Sequence, residues 1–295
     1  MERLKGALII GFLRLFALLP WRMVQGLGAA IGWLSYKLPN RSREVTRINL
    51  SRCFPELDEQ QLEQLLRRSL ISIGMTLTES ACAWIWPAQK TLSLVREVEG
   101  LEHLQRALES GKGLVTLSSH LGNWEVLLHY LGLHCKAAIL YRPIKMKAVD
   151  ELLQKQRVQM GNEVVPSTPA GILSLIKKVR RGGVAGIAVD PEPALANGVF
   201  VPFCGVPALT SKFATSLLKG HKAVGVFLHA VRLPDGSGYR VIVEPAPEAM
   251  YAEDDEQAVA AMVQVLERQV RANPEQYMWN MKRFKRRPPG EAKWY

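Results

Sequence analysis

From Val95 onward the chain alternates two periodicities that one element cannot satisfy together. Short β-prone apolar runs at 114–117, 137–141, 184–189 and 223–228 are interleaved with helical patterns at 125–133, 149–160, 170–181 and 211–218. Strands in strict alternation with helices predict an α/β sheet joined by crossover helices. The run Arg232-Leu233-Pro234-Asp235-Gly236-Ser237-Gly238-Tyr239 supplies a turn between two late strands, an antiparallel addition that makes the sheet mixed. The fold class expected is therefore α/β, a mixed central sheet flanked by helices. At 295 residues and 48% hydrophobic content the chain can bury one large core or two small ones. In such sheets sites gather beyond the C-terminal ends of the strands, and His120, Arg142 and Asp190 all follow strand-like runs.

The stretch GLVTLSSHLGNWE, Gly113 to Glu125, reads as strand, turn and helix, with Asn123 or Gly122 near the cap. On one continuous helix, residues five apart stand about 140° from each other, so His120 and Glu125 meet only if His120 lies in the turn and Glu125 in the first helical turn. There the helix N-terminus also favours the carboxylate. An imidazole oriented by a carboxylate is a general-base arrangement, and the expectation is that Glu125 orients His120. The spacing alone fits equally an ordinary polar turn residue followed by a first-turn acid. Ser118 and Ser119 rival His120 as the reacting group, but neither sits in a G-x-S-x-G elbow.

Before this region lie two apolar stretches, residues 4–19 and 23–36, separated by Pro20-Trp21-Arg22. They contain no good cleavage site for a secretory signal. Neither reaches the roughly 20 apolar residues of a clear span, so a span through Arg14 and a helix pair lying in the membrane interface both remain open. Gly28-x-x-x-Gly32 permits close helix packing, and Trp21, Trp33 and Tyr36 beside Arg22 and Lys37 suit a membrane boundary. Residues 1–40 are read as this apolar segment and 41–295 as the main domain. Within the latter, 41–50 and 58–79 are helical, the second capped by Asp58; Trp84 and Trp86 are read as core. A formal charge of +11 implies an anionic partner. The widely spaced Cys53, Cys82, Cys135 and Cys204 fit buried, reduced thiols, and the remaining histidines show no metal-ligand spacing. The basic run Lys282 to Arg287 could contact RNA, but no RNA-binding module accompanies it; a phosphorylated lipid or acidic membrane surface is the expected partner, and no nucleic acid.

SSHLGNWE resembles the His-x4-Glu block of the glycerolipid-type acyltransferases, and its Gly-Asn-Trp-Glu ending resembles the branch that holds the late lipid A acyltransferases of Gram-negative bacteria. Tyr141-Arg142-Pro143, Phe200-Val201-Pro202-Phe203 and Pro274-Glu275-Gln276-Tyr277-Met278-Trp279 agree in order and spacing. The resemblance implies a glycerolipid-acyltransferase-like fold, anchored by its N-terminus at the cytoplasmic face of the inner membrane. It implies transfer of an acyl chain from acyl-carrier-protein thioester to a hydroxyl of a phosphorylated glucosamine lipid, without metal or other cofactor. His120, Glu125, Arg157 and Asp190 are the implied catalytic residues, the last two at positions the family requires. Arg142 and Arg157 are candidate phosphate clamps, because a guanidinium offers a planar fork that stays charged. Asn123, Arg142, Phe200 and Pro202 complete the expected substrate site, Phe200 and Pro202 as an apolar wall by the acyl chain. The run Asp190-Pro191-Glu192-Pro193 departs from the family pattern, which leaves the acceptor open: a glycerol lysophospholipid is the alternative substrate, and a catalytically silent binding protein the alternative class.

Overall fold

The computed structural model describes residues 2–143 and 146–295, with side chains from residue 6 onward; Lys5, one of the charges in the first apolar stretch, has its side chain outside that description. Helices come first: α1 (Glu2–Phe16), α2 (Trp21–Lys37), α3 (Arg41–Cys53), α4 (Glu59–Ala83) and the short α5 (Ala88–Leu92). The α/β part follows as β1 (Val95–Glu99), α6 (Leu101–Glu109), β2 (Gly113–Ser118), α7 (Trp124–His134), β3 (Ala137–Tyr141), α8 (Lys147–Gln159), β4 (Glu163–Pro166), α9 (Pro169–Arg180) and β5 (Val184–Ala188). It closes with β6 (Gly198–Phe203), β7 (Val206–Ser211), α10 (Phe213–Leu218), β8 (Ala223–Arg232), β9 (Tyr239–Pro245) and α11 (Asp255–Ala272).

The main sheet has the order β1-β9-β8-β2-β5-β3-β4. Strands β8, β2, β5, β3 and β4 run parallel, whereas β9 is antiparallel to β8 and carries β1 parallel to itself. The mixed sheet expected from the periodicities is what forms. Its pleat divides the core in two, since alternate side chains face opposite ways: Val115, Leu117, Ala185 and Ile187 join one apolar cluster, Leu114, Val184 and Ile139 the other. The central position of β2 between β8 and β5 explains why its run is apolar on both faces. The β6–β7 hairpin forms a separate antiparallel pair and packs on α11.

Asp58 caps α4 through a full capping box with Gln61, which satisfies two otherwise orphan N–H groups. Against α4 lies α2, close enough that a methyl added at Gly32 would stand 2.3 Å from the Leu70 carbonyl oxygen and one at Gly28 2.6 Å from the Met75 Cα. The small-residue pair thus permits backbone contact between the two helices. Pro20 ends the approach from α1 and opens α2. Among the described residues no helix is long and apolar enough to cross a membrane. Trp86 is buried as expected; Trp84 is only half-buried and faces a cavity described below.

Candidate active site

Strands β2, β5 and β3 lie side by side, so the residues following them meet at one edge of the sheet. His120 leaves β2 in a turn whose geometry depends on Gly122: its φ is +67°, and a Cβ there would lie 1.9 Å from the Ala230 carbonyl oxygen. The Asn123 side chain then accepts from the N–H groups of Glu125 and Val126 at 3.1 and 3.3 Å, starting α7. Its own amide donates to the Tyr239 hydroxyl at 3.0 Å. Asn123 is thus fully buried and shapes the turn from behind.

The carboxylate on His120 is Asp190, which follows β5. Its Oδ1 lies 3.0 Å from His120 Nδ1, and its Oδ2 accepts the His120 backbone N–H at 3.1 Å. The expectation that Glu125 orients the ring is therefore corrected. Glu125 Oε1 accepts instead from the Arg157 guanidinium at 3.0 Å, and both of those side chains are nearly buried. The reason is direction: Glu125 sits in the first turn of α7 facing α8, where Arg157 waits, while Asp190 reaches His120 from the adjacent strand end.

Burial alone pulls the His120 imidazole toward neutrality, but the charge and hydrogen bond of Asp190, with the field of Glu125, outweigh it and raise its pKa above the ordinary histidine value. Burial likewise opposes the Asp190 charge; the His120 ring, the hydrogen bonds from His120 and the field of Arg283 outweigh it and hold the carboxyl below its usual range. With Asp190 ionised, Nδ1 carries the proton that bonds to it, and Nε2 is left as the basic nitrogen. Tyr277 also donates to Asp190 Oδ2, at 3.1 Å. Trp124 stands edge-on to the His120 ring at 5.0 Å.

His120 opens on a cavity of about 390 Å³ between the sheet and helices α7 and α8. Leu127, Leu131, Ile139, Leu153 and Leu228 give it an apolar interior, and Arg157 and Glu125 lie in its wall. Arg142, exposed beyond β3, lines it too. The expected wall of Phe200 and Pro202 is a further correction: neither lines this cavity, because β6 turns away with β7 onto α11, where Phe200 is half-buried and Pro202 exposed. Glu192, in the run that departs from the family pattern, is engaged away from His120: its carboxylate takes the Arg286 backbone N–H and guanidinium, each at 2.8 Å. Nor is the basic run 282–287 an open patch: Arg283 and Phe284 are buried, Arg286 pairs with Glu192 and Arg287 with Glu291. Among the described residues no group of three His, Cys, Asp or Glu side chains is placed to hold a metal.

A histidine fixed by a buried carboxylate at the strand ends of an α/β sheet, opening on an apolar cavity with arginines in its wall, defines a site suited to moving a proton beside a lipid chain. Residues 3–286 match the family described as bacterial lipid A biosynthesis acyltransferase. The chain is similar to the lipid A biosynthesis lauroyltransferase of Escherichia coli K12, 31% identical over 95% of this chain and 91% of that one, and to the palmitoleoyltransferase of the same organism, 29% identical over 97% and 92%. A lipid A biosynthesis acyltransferase of Haemophilus influenzae is 32% identical over 92% of this chain and 86% of its own. The chain belongs to the bacterial lipid A biosynthesis acyltransferase family, and it is an acyltransferase.

Proposed function

We propose that the protein transfers a fatty acyl chain from an acyl-carrier-protein thioester to a hydroxyl of a lipid A precursor, a late acylation in lipopolysaccharide biosynthesis, with His120 as the general base. The observation that carries this reading is the His120–Asp190 pair at the mouth of the apolar cavity. The names of the similar proteins support the acceptor. The cavity volume falls in the roughly 300–1,000 Å³ range of ligand pockets, and its aliphatic lining suits a hydrocarbon chain better than a headgroup.

As the acceptor hydroxyl oxygen bonds to the thioester carbonyl carbon, His120 Nε2 takes the hydroxyl proton, and the imidazolium is stabilised by Asp190. The carbonyl oxygen becomes an oxyanion, for which Arg157, held in place by Glu125, is the adjacent positive charge in the cavity wall. Collapse breaks the carbon–sulfur bond, and the departing thiolate takes the proton from His120. The thioester supplies the driving force, so the reaction needs neither metal nor nucleotide. Arg142, exposed at the cavity rim, is the better placed of the two arginines for an acceptor phosphate. The net charge of +11 suits an acidic carrier protein.

The protein works on the cytoplasmic face of the inner membrane, with α1 and α2 lying in the interface. Leu8, Phe12 and Leu15 form an exposed apolar stripe on α1; Leu27, Ile31 and Leu34 form one on α2, beside the Val24, Gly28 and Gly32 face that meets α4.

The test is transfer by detergent-solubilised protein from a panel of acyl-carrier-protein thioesters to a tetra-acylated lipid A precursor, followed by mass spectrometry of the lipid. Wild type adds one acyl group, and His120→Ala loses activity by roughly 10²–10⁴-fold, the usual contribution of a general base. Acylation of a lysophospholipid in place of the precursor rejects the acceptor; full activity in His120→Ala rejects the base.

A further inference from the structure

The segment after α11 closes over the catalytic turn from the side opposite the cavity. The Gln276 carbonyl accepts the Gly122 N–H at 3.0 Å, and the Met278 N–H donates to the His120 carbonyl at 3.0 Å. Between them, Tyr277 forms a β-bridge with Leu121 and sends its side chain inward. Its ring is fully buried, edge-on to Trp279 at 4.8 Å and tilted against Phe203 at 5.9 Å. A phenylalanine would fill that space equally well. A buried hydroxyl is costly unless it is bonded, and this one donates to Asp190 Oδ2 at 3.1 Å.

We propose that Tyr277 is a positioning residue for acyl transfer: its hydroxyl fixes Asp190 against His120 and draws off part of the carboxylate's charge, setting how strongly Asp190 holds the imidazolium. This rests on the reading of His120 as the base. The Asp190 carboxylate is shared between two residues that compete for it. The His120 backbone N–H and Nδ1 take it from the β2 side, and the phenol takes it from the C-terminal segment. Each unit of charge spent on the phenol is unavailable to the ring. Among the described residues, the other charged or titratable groups facing this cluster are Glu125 from α7, which favours the imidazolium, Arg283 from the C-terminal segment, which favours the carboxylate, and the Cys53 thiol from α3, which lies near Tyr277. Tyr277→Phe leaves all three in place. With the competing donor gone, Asp190 leans more on His120, and the free base forms only at higher pH.

The experiment is a titration of the full chain, labelled with ¹⁵N-histidine, in detergent. His120 is assigned among the six histidines by its loss in His120→Gln, and kcat and KM are followed over the same pH range. In Tyr277→Phe the His120 midpoint rises by about half a unit. Activity then falls about threefold on the acid side of the midpoint, with KM unchanged, and returns to the wild-type level at high pH. Trp279→Phe, which disturbs the same aromatic cluster and keeps the hydroxyl, lowers the melting temperature without moving the midpoint. Replacing tyrosine throughout by 3-fluorotyrosine, a stronger donor on an undisturbed backbone, moves the midpoint down; this arm decides the matter if Tyr277→Phe is poorly folded. An unmoved His120 midpoint in the tyrosine variants, or a loss that raising the pH does not restore, overturns the positioning role while leaving the base intact. An active His120→Ala protein overturns the base itself.

Discussion

Asp190 and Glu125 both place negative charge near His120, but only Asp190 bonds to its ring. The two carboxylates therefore fail differently when neutralised. Asp190→Asn removes the charge and, with its amide oxygen held by the His120 N–H and Tyr277, turns an NH2 toward Nδ1, so it lowers kcat by roughly 10²–10⁴-fold with little change in KM, the scale on which general-base catalysis operates. Glu125→Gln removes the charge that holds Arg157 in the cavity wall, so it lowers kcat while leaving a clear His120 titration, shifted slightly down by the loss of a nearby negative charge. The pH dependence has a definite sign. As the proposed base, His120 has to be neutral to act and its pKa is raised in the fold, so kcat/KM in the wild type climbs with pH through a midpoint above the ordinary histidine value of about 6.5. A kcat/KM profile flat from pH 6 to 8 contradicts that assignment. The stability contributions run oppositely. That of His120 is full below about 6.5 and is lost as pH rises through the folded value, whereas that of Asp190 is full above about 3.9 and is lost as pH falls. The pair stabilises the fold most between those limits.

At the scale of elements, a buried ion pair ties the helical layer to the end of the sheet. Arg232, the last residue of β8, donates to both oxygens of Glu79 on α4, at 2.7 and 2.6 Å, and also to Ser72 and Thr76; Gln25 of α2 adds a bond to the same carboxylate at 3.1 Å. Breaking one side of such a pair strands the other charge, so Glu79→Gln costs about 3–5 kcal/mol, whereas Glu79→Leu with Arg232→Met together costs much less. Chemical denaturation of the two variants checks this; equal losses contradict the account. Many of these elements are legible in the sequence because they are periodic: α4 with its Asp58 cap, α7, α9 and the central strands fall within a few residues of the patterns that announce them. Strand β1, Val95–Glu99, was not, since it lies at the sheet edge with most of its side chains exposed and has no apolar alternation to read. The site was legible as a place, because His120, Arg142 and Asp190 each follow a strand. Its pairing was not, because spacing along the chain informs only on neighbours, and Asp190 lies 70 residues from His120. Glu125, five positions away and in a block resembling the family's, is the partner that spacing and resemblance offer first. Tyr277 carried no signal beyond its place in a block resembling the family's.

For the whole molecule, the question is how a site that takes lipid meets its substrate. The two exposed stripes on α1 and α2 leave large apolar side chains uncovered in one region, with Phe12 66% and Leu15 69% exposed. Among the described residues no helix is long and apolar enough to cross a membrane, and in the membrane docking proposed above these stripes reach hydrocarbon by lying in the interface. In that position the positive charge of the molecule adds attraction to an anionic surface, and that part of the binding is screened by salt while the apolar part is not. Vesicle sedimentation separates the two. Wild type binds vesicles rich in anionic lipid more tightly than neutral ones, and high salt removes the difference without abolishing binding. Leu27 and Ile31 flank the Val24, Gly28 and Gly32 face rather than belonging to it and are 44% and 48% exposed, so Leu27→Glu with Ile31→Glu leaves the fold intact. At about 1.5–3 kcal/mol for burying each such side chain, the double variant binds roughly a hundredfold more weakly to both kinds of vesicle. Its turnover of a detergent-dispersed acceptor stays at the wild-type level, because the His120–Asp190 pair is untouched. If the double variant binds as wild type does, the membrane-facing surface lies elsewhere. If it loses turnover in detergent as well, the helical layer supports the site directly, through contacts such as Gln25 on Glu79, and membrane docking and catalysis are not separable.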